Sequence, residues 1–171
     1  MSDKFVVDTN VILVANNKHQ GVSSACVANC ARLLEDIIKS KRIVLDDARK
    51  ILGEYLHKTH PNQPKGPGDA FVKWVLQNHS NVNRCEHVSI TEISQDEFSE
   101  FPNDVELQNF DPPDRKFVAV AYAHPNKPPI LQAADSKWLG WCEPLEKHGI
   151  RVQFVCKEDI KRFHENKFPT T

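Results

Sequence analysis

Short apolar runs that end abruptly in polar residues recur along the chain, with amphipathic stretches between them. Phe5-Val6-Val7 stops at Asp8-Thr9-Asn10, Ile43-Val44-Leu45 at Asp46-Asp47, and the stretch from Pro129 to Ala134 at Asp135. Brief β-type runs without polar alternation read as strands buried on both faces. Val88 to Ile90 gives a weaker strand, and Ile150 to Val155 the last one. After the first strand, Cys26, Val27, Cys30, Leu33, Leu34, Ile37 and Ile38 recur at helical spacing, with Arg32, Glu35, Asp36 and Lys39 on the outer side. A second helix is predicted from Ala48 to about Lys58, capped by Asp47 and striped by Ile51, Leu52, Tyr55 and Leu56. Helical spacing resumes at Phe71, Val72, Trp74, Val75 and Leu76. Asp111-Pro112-Pro113-Asp114 opens a further helix, with Asp111 as its cap and proline in the first turn, where no N–H is needed. Trp138 to His148 is helical in part, with Pro144 either breaking it or beginning a second segment.

Strand and helix alternate from end to end, which predicts an α/β fold: a single doubly wound domain over 1–156, with a mainly parallel central sheet and helices on both faces. A polar helix and frayed tail are expected over 157–171. His57 to Asp69, with three Pro and two Gly, reads as a loop. Glu86 to Asp114 holds nine acids and no Lys or Arg, and reads as solvated surface.

A chain of 171 residues with 40% hydrophobic positions suits one packed domain and lies above the range of disorder. The net charge of −1 excludes a basic nucleic-acid coat and an acidic tail protein. No apolar run approaches the ~20 residues that span a bilayer, and Met1-Ser2-Asp3-Lys4 has no secretory character. The five cysteines, an odd and scattered set, are expected as reduced thiols packed as small hydrophobes, and a cytoplasmic location is expected from them.

The candidate chemistry lies at the strand ends, where ligands bind in a doubly wound sheet. Asp8, Asp46-Asp47 and Asp135 each close a strand. Like charges ~4 Å apart repel by roughly 4 kcal/mol at an effective dielectric near 20, so gathered carboxylates imply a cation among them or a bound proton. Glu54 and Asp114 can join Asp8 and Asp135 from helices, while Asp46 and Asp47 read as cap and turn. Oxygen donors alone favour Mg²⁺ or Mn²⁺ over zinc or copper. His57 and His60 read as solvated loop histidines, and Trp138 and Trp141 as packing residues with base stacking as the other option.

Four segments together resemble the PIN-domain nucleases: Val7-Asp8-Thr9-Asn10 closing a strand, Ile51 to Tyr55 on a helix around Glu54, Asp114 to Ala121 opening a helix, and Ala134 to Leu139 after a strand. The resemblance implies a sheet of order 3-2-1-4-5 and a metal-dependent ribonuclease whose Mg²⁺ or Mn²⁺ ligands and catalytic acids are Asp8, Glu54, Asp114 and Asp135. The products would carry 5′-phosphate and 3′-hydroxyl ends. Asn10, Arg115 and Lys116 would meet the substrate, a single-stranded RNA, in a groove reaching Lys137 and the Lys58–Lys65 loop. Such proteins include toxins of toxin–antitoxin pairs, which implies an antitoxin-like inhibitor and a homodimer as partners. Ala133 departs from the family pattern, standing where many members have Ser or Thr. The alternative reading is a catalytically silent module of the same type that binds RNA or protein.

Overall fold

Five parallel strands form one sheet, and the first of them lies at its centre. In the computed structural model, which describes residues 3–167, these are β1 (Lys4–Val7), β2 (Arg42–Asp46), β3 (Cys85–Val88), β6 (Ile130–Gln132) and β7 (Val152–Phe154). Their order is β3-β2-β1-β6-β7, which is 3-2-1-4-5 when the sheet strands alone are counted. Every neighbouring pair is parallel, with Phe5 opposite Ile43 and Val6 opposite Ile130. The expected α/β, doubly wound class is therefore the observed one. A separate antiparallel pair, β4 (Glu92–Ser94) and β5 (Glu97–Phe98), sits inside the acid-rich segment.

Helices α1 (Thr9–Ala15), α2 (Ser24–Ser40) and α4 (Pro67–Asn78) pack together on one side of the sheet. Helix α5 (Arg115–Ala123) lies against β1, β2 and β6, with α3 (Lys50–Lys58) beside it. The three inner strands bury every apolar side chain, as β1 shows with Phe5, Val6 and Val7 all in the core. Apolar runs without alternation suit such a sheet, since both of its faces are covered. The chain winds away from β1 to β2 and β3, then crosses back to β6 and β7, so its direction reverses between β1 and β6. A ligand-binding crevice is expected there, beyond the carboxyl ends of those two strands.

Several local expectations need correction. Helix α3 starts at Lys50, later than expected, with Arg49 at its N-cap position, and the carboxylate that serves its first N–H groups is Asp46 rather than Asp47. The Asp46 carboxylate accepts the backbone N–H groups of Lys50 at 2.7 Å and Ile51 at 2.9 Å. This reach depends on Arg49 adopting a left-handed backbone (φ 62°). Asp47 instead accepts the Ser89 hydroxyl. Asp111 does not cap with its side chain: its carbonyl receives the Asp114 N–H at 3.0 Å, and its carboxylate pairs with Lys137.

The stretch expected as a loop to Asp69 is helical from Pro67, with proline at a first-turn position that needs no N–H. Asn16 Oδ1 supplies the missing cap by accepting the Gly68 and Asp69 N–H groups at 2.8 and 3.1 Å. Gly68 is required by the close packing of α4 on α1, since a Cβ there would stand 2.3 Å from the Ile12 carbonyl oxygen. The remaining turn is gathered by Asp69, whose carboxylate accepts the His60 and Lys65 N–H groups. Burial raises the Asp69 pKa, but these bonds and Asn16 outweigh it and hold the carboxyl below its ordinary value.

Pro144 does begin a new segment. A 3₁₀ stretch (Ser136–Trp141) gives way to α6 (Cys142–Glu146), which holds Pro144 in its first turn. The polar helix at the chain's end is α7 (Lys157–Lys167), and the frayed tail expected after it falls in 168–171, outside the described residues, as do Met1 and Ser2.

The cysteine expectation is overturned. Cys26 and Cys156 form a disulfide that joins α2 to the residue preceding α7, while Cys30, Cys85 and Cys142 are free thiols. Cys30 Sγ stands 3.8 Å from Cys156 Sγ, and burial pushes its thiol up to about 12. The pair is 130 residues apart in sequence, so no spacing rule exposes it. The location inferred from an all-thiol chain loses that support. Among the described residues, no helix is long and apolar enough to cross a membrane.

Candidate acidic site

Four acids come from four places around the reversal between β1 and β6. Asp8 follows β1, Glu54 lies on α3, Asp114 precedes α5, and Asp135 follows β6. The Asp8 N–H donates to the Leu131 carbonyl at 3.0 Å, which fixes the end of β1 against β6. Asp8 also caps α1, with Oδ2 accepting the Asn10 N–H at 2.9 Å. Its other oxygen, Oδ1, is buried and has no hydrogen-bond partner among the described residues. Leaving a buried carboxylate oxygen unpartnered is costly, and a bound proton or a cation removes that cost.

The charge environment agrees. Burial drives the Asp8 pKa well above its ordinary value, and the negative charges of Asp114 and Glu54 add to it. The Asn10 N–H pulls the other way, as does the side-chain amide of Gln132, which lies near enough to act on the Asp8 carboxylate although neither Asp8 Oδ1 nor Gln132 Nε2 completes a hydrogen bond of good geometry among the described residues. Asp114 is pushed up to about 6, first by burial and then by Asp111, Asp135 and Glu54, with Lys137 opposing. All four acids therefore share one electrostatic neighbourhood.

They do not, however, converge on a point. Among the described residues, the one group of three or more His, Cys, Asp or Glu whose ligand atoms lie within 4.8 Å of one another is Cys26, Cys30 and Cys156. Two lysines pair with acids of the site. Lys116 Nζ pairs with Glu54 Oε1 at 2.9 Å, and Lys137 Nζ lies 2.7 Å from Asp111 and 3.8 Å from Asp135. The donor set is all oxygen, which suits a hard divalent cation. Asp8 Oδ1 is an unpartnered oxygen of the same donor class.

Residues expected at the substrate have other contacts. Arg115 donates to the carbonyls of Phe110 at 3.2 Å and Gln108 at 3.0 Å, and its guanidinium lies over the Phe101 ring. Lys116 is only 8% exposed and also donates to the Pro113 carbonyl. Asn10 Oδ1 accepts the Ala134 N–H at 2.8 Å, stitching the segment after β1 to the segment after β6. Lys58 ends α3 and Lys65 belongs to the Asp69-bound turn, whereas Lys137 is a cation that reaches the acids.

Three structural supports were not singled out from the sequence. Thr9 donates its hydroxyl to Glu54 Oε2, so the second residue of the Asp-Thr-Asn motif holds the second acid. Tyr55, next to Glu54, donates to the Val7 carbonyl and pins α3 to the end of β1. Gln132 Oε1 accepts the N–H groups of Ala133 at 2.9 Å and Asp135 at 3.3 Å, which shapes the turn that presents Asp135. A polar residue at the end of a buried apolar strand is the signal that could have pointed to Gln132.

Asp135 borders a recess that reaches α7. A cavity of about 440 Å³ is bounded by Asn10, Ala134 and Asp135 on one side and by Phe163, Asn166 and Lys167 of α7 on the other. Comparison with protein-family models, with curated proteins and with solved structures finds no match for this chain.

Proposed function

We propose that this protein is a divalent-metal-dependent ribonuclease of the PIN-domain type, hydrolysing single-stranded RNA to 5′-phosphate and 3′-hydroxyl ends. The observation that carries the reading is Asp8 Oδ1, a buried carboxylate oxygen without a partner among the described residues, set beside Asp114 and Glu54 at the sheet's winding reversal. The order of the four motif segments along the chain and the 3-2-1-4-5 sheet accord with the resemblance.

Asp8, Glu54, Asp114 and Asp135 would hold Mg²⁺ or Mn²⁺, which when bound lowers the pKa of water and neutralises charge on a phosphate. The chain's own residues supply the rest. Thr9 and Lys116 hold Glu54 in place, and Asn10 and Gln132 shape the backbone on which Asp135 stands. Asp114, with its carboxyl raised to about 6, holds a proton in mildly acidic solution and releases it near neutrality, so the site's negative charge grows with pH. Lys137, exposed beside Asp135, is the cation best located to meet a phosphate.

The second reading, a silent RNA- or protein-binding module, is favoured by one observation: among the described residues no three carboxylates bring their oxygens within 4.8 Å. Ala133 in place of Ser or Thr points the same way. The deciding experiment is cleavage of a generic single-stranded RNA with Mn²⁺, with Asp8→Asn alongside. Metal-dependent cleavage lost in Asp8→Asn supports the nuclease. Equal activity in both proteins, or none in either with RNA still bound, overturns it.

A further inference from the structure

A second hollow, of about 500 Å³, lies next to the acids between the 3₁₀ stretch after β6 and the end of α7. Its lining includes Asp111 and Lys137, the latter 3.8 Å from Asp135, together with Trp141, Gly140 and Pro112, and Lys167 from α7. We propose that this hollow binds a nucleobase of the RNA strand, stacked on Trp141, next to the phosphate that is cut. The proposal rests on the nuclease reading and deepens it by naming a base subsite.

The two tryptophans of the Ser136–Trp141 stretch have different places. Trp138 is 1% exposed and meets Phe110 edge-on, as a core residue. Trp141 is half-buried, its ring centroid 5.4 Å from that of Phe110, so one side is braced while the residue borders the hollow. Beside it, Gly140 adds no side chain, and a Cβ built there would meet nothing within 4 Å. An aromatic wall kept clear by a glycine suits a planar ligand. The volume is in the range of small-ligand sites and fits one nucleoside rather than a duplex. Lys137 and Lys167 supply positive charge to a ligand with a phosphate at its edge. Every base has a π-face, so stacking here would be tolerant of sequence.

Adenosine 5′-monophosphate and ribose 5-phosphate distinguish base from phosphate recognition, in calorimetric titrations without divalent metal. The wild-type protein should bind the nucleotide and bind the sugar phosphate at least about tenfold more weakly. Gly140→Phe, whose Cβ would meet nothing within 4 Å and whose ring would stand at the hollow, should lower nucleotide affinity about tenfold with an unchanged melting temperature; folded Trp141→Ala should lose affinity by a similar factor, with some stability lost along with its packing on Phe110. Trp141→Phe should keep most of the affinity. Equal binding of both ligands, no binding of the nucleotide, or full affinity in folded Gly140→Phe would overturn the base subsite. These titrations involve no cleavage, so loss of Mn²⁺-dependent cleavage with nucleotide binding intact would sink the nuclease reading and leave the pocket standing.

Discussion

Lys116 and Glu54 form an ion pair at 2.9 Å in which the lysine side chain is 10% exposed and the carboxylate 24%. The pair sets the lysine's positive charge against one of the acids that would otherwise repel Asp8 and Asp114. Lys116 thus acts within the site as a resident countercharge. Removing one member of such a pair leaves the other charge stranded.

Lys116→Met should therefore destabilise the metal-free protein by about 2 kcal/mol in urea unfolding at neutral pH. The double variant with Glu54→Gln should be more stable than the sum of the single effects, because the stranded charge is gone. Additive losses would mean that the pair is decorative.

Acid strength in the site has a definite sign. Asp114 has an ordinary value of 3.8 and is raised in the folded protein to about 6, so the folded state binds its proton more tightly than the unfolded chain. Its contribution to stability is full below 3.8 and lost as pH rises through about 6, and raised Asp8 acts in the same direction. Asp114→Asn should accordingly stabilise the metal-free protein above about pH 6 and make little difference below 3.8. Thermal unfolding across that range checks it; a variant less stable at neutral pH would contradict the assignment.

Asn10 accepts one backbone N–H, that of Ala134, across the gap between two strands' ends. Asn10→Ala should cost about 1 kcal/mol of stability, and should reduce metal-dependent cleavage by more than that loss explains, since Asp135 follows directly. A variant with wild-type cleavage would reduce Asn10 to a structural stitch.

The Cys26–Cys156 bond predicts a thiol count. Unfolded without reductant, the chain should react with a thiol reagent at three cysteines, and after reduction at all five. Closure of a loop this long is worth up to about 5 kcal/mol in the chain-entropy account, so Cys26→Ser should lower the melting temperature markedly. Five reactive thiols before reduction would return the chain to the all-thiol expectation.

The parallel sheet was legible because buried strands leave uninterrupted apolar runs, and the clearest of them end in a polar residue that interrupts the pattern. Asp8 and Asp135 were visible for the same reason. What escaped was set by partners distant in sequence. The carboxylate serving the first N–H groups of α3 moved from Asp47 to Asp46 because Arg49 turns left-handed, which no apolar pattern encodes. The β4–β5 hairpin has a fully exposed first strand, so it carries no burial signature. Arg115 and Lys116 looked like substrate contacts because charge next to an acid reads as surface, yet one holds carbonyls and the other is buried against Glu54. The disulfide joins residues from opposite ends of the chain and could be found only by folding it.

Helix α7 borders both hollows, supplying Phe163, Asn166 and Lys167 to one and His164 and Lys167 to the other. A protein shortened to 1–156 would lose a side of each recess, and with it Asp159, which accepts the Ser23 N–H and hydroxyl at the head of α2, and the buried Ile160. The chain's final described helix is thus part of the walls of both recesses, and any truncation made for convenience would alter what they can hold.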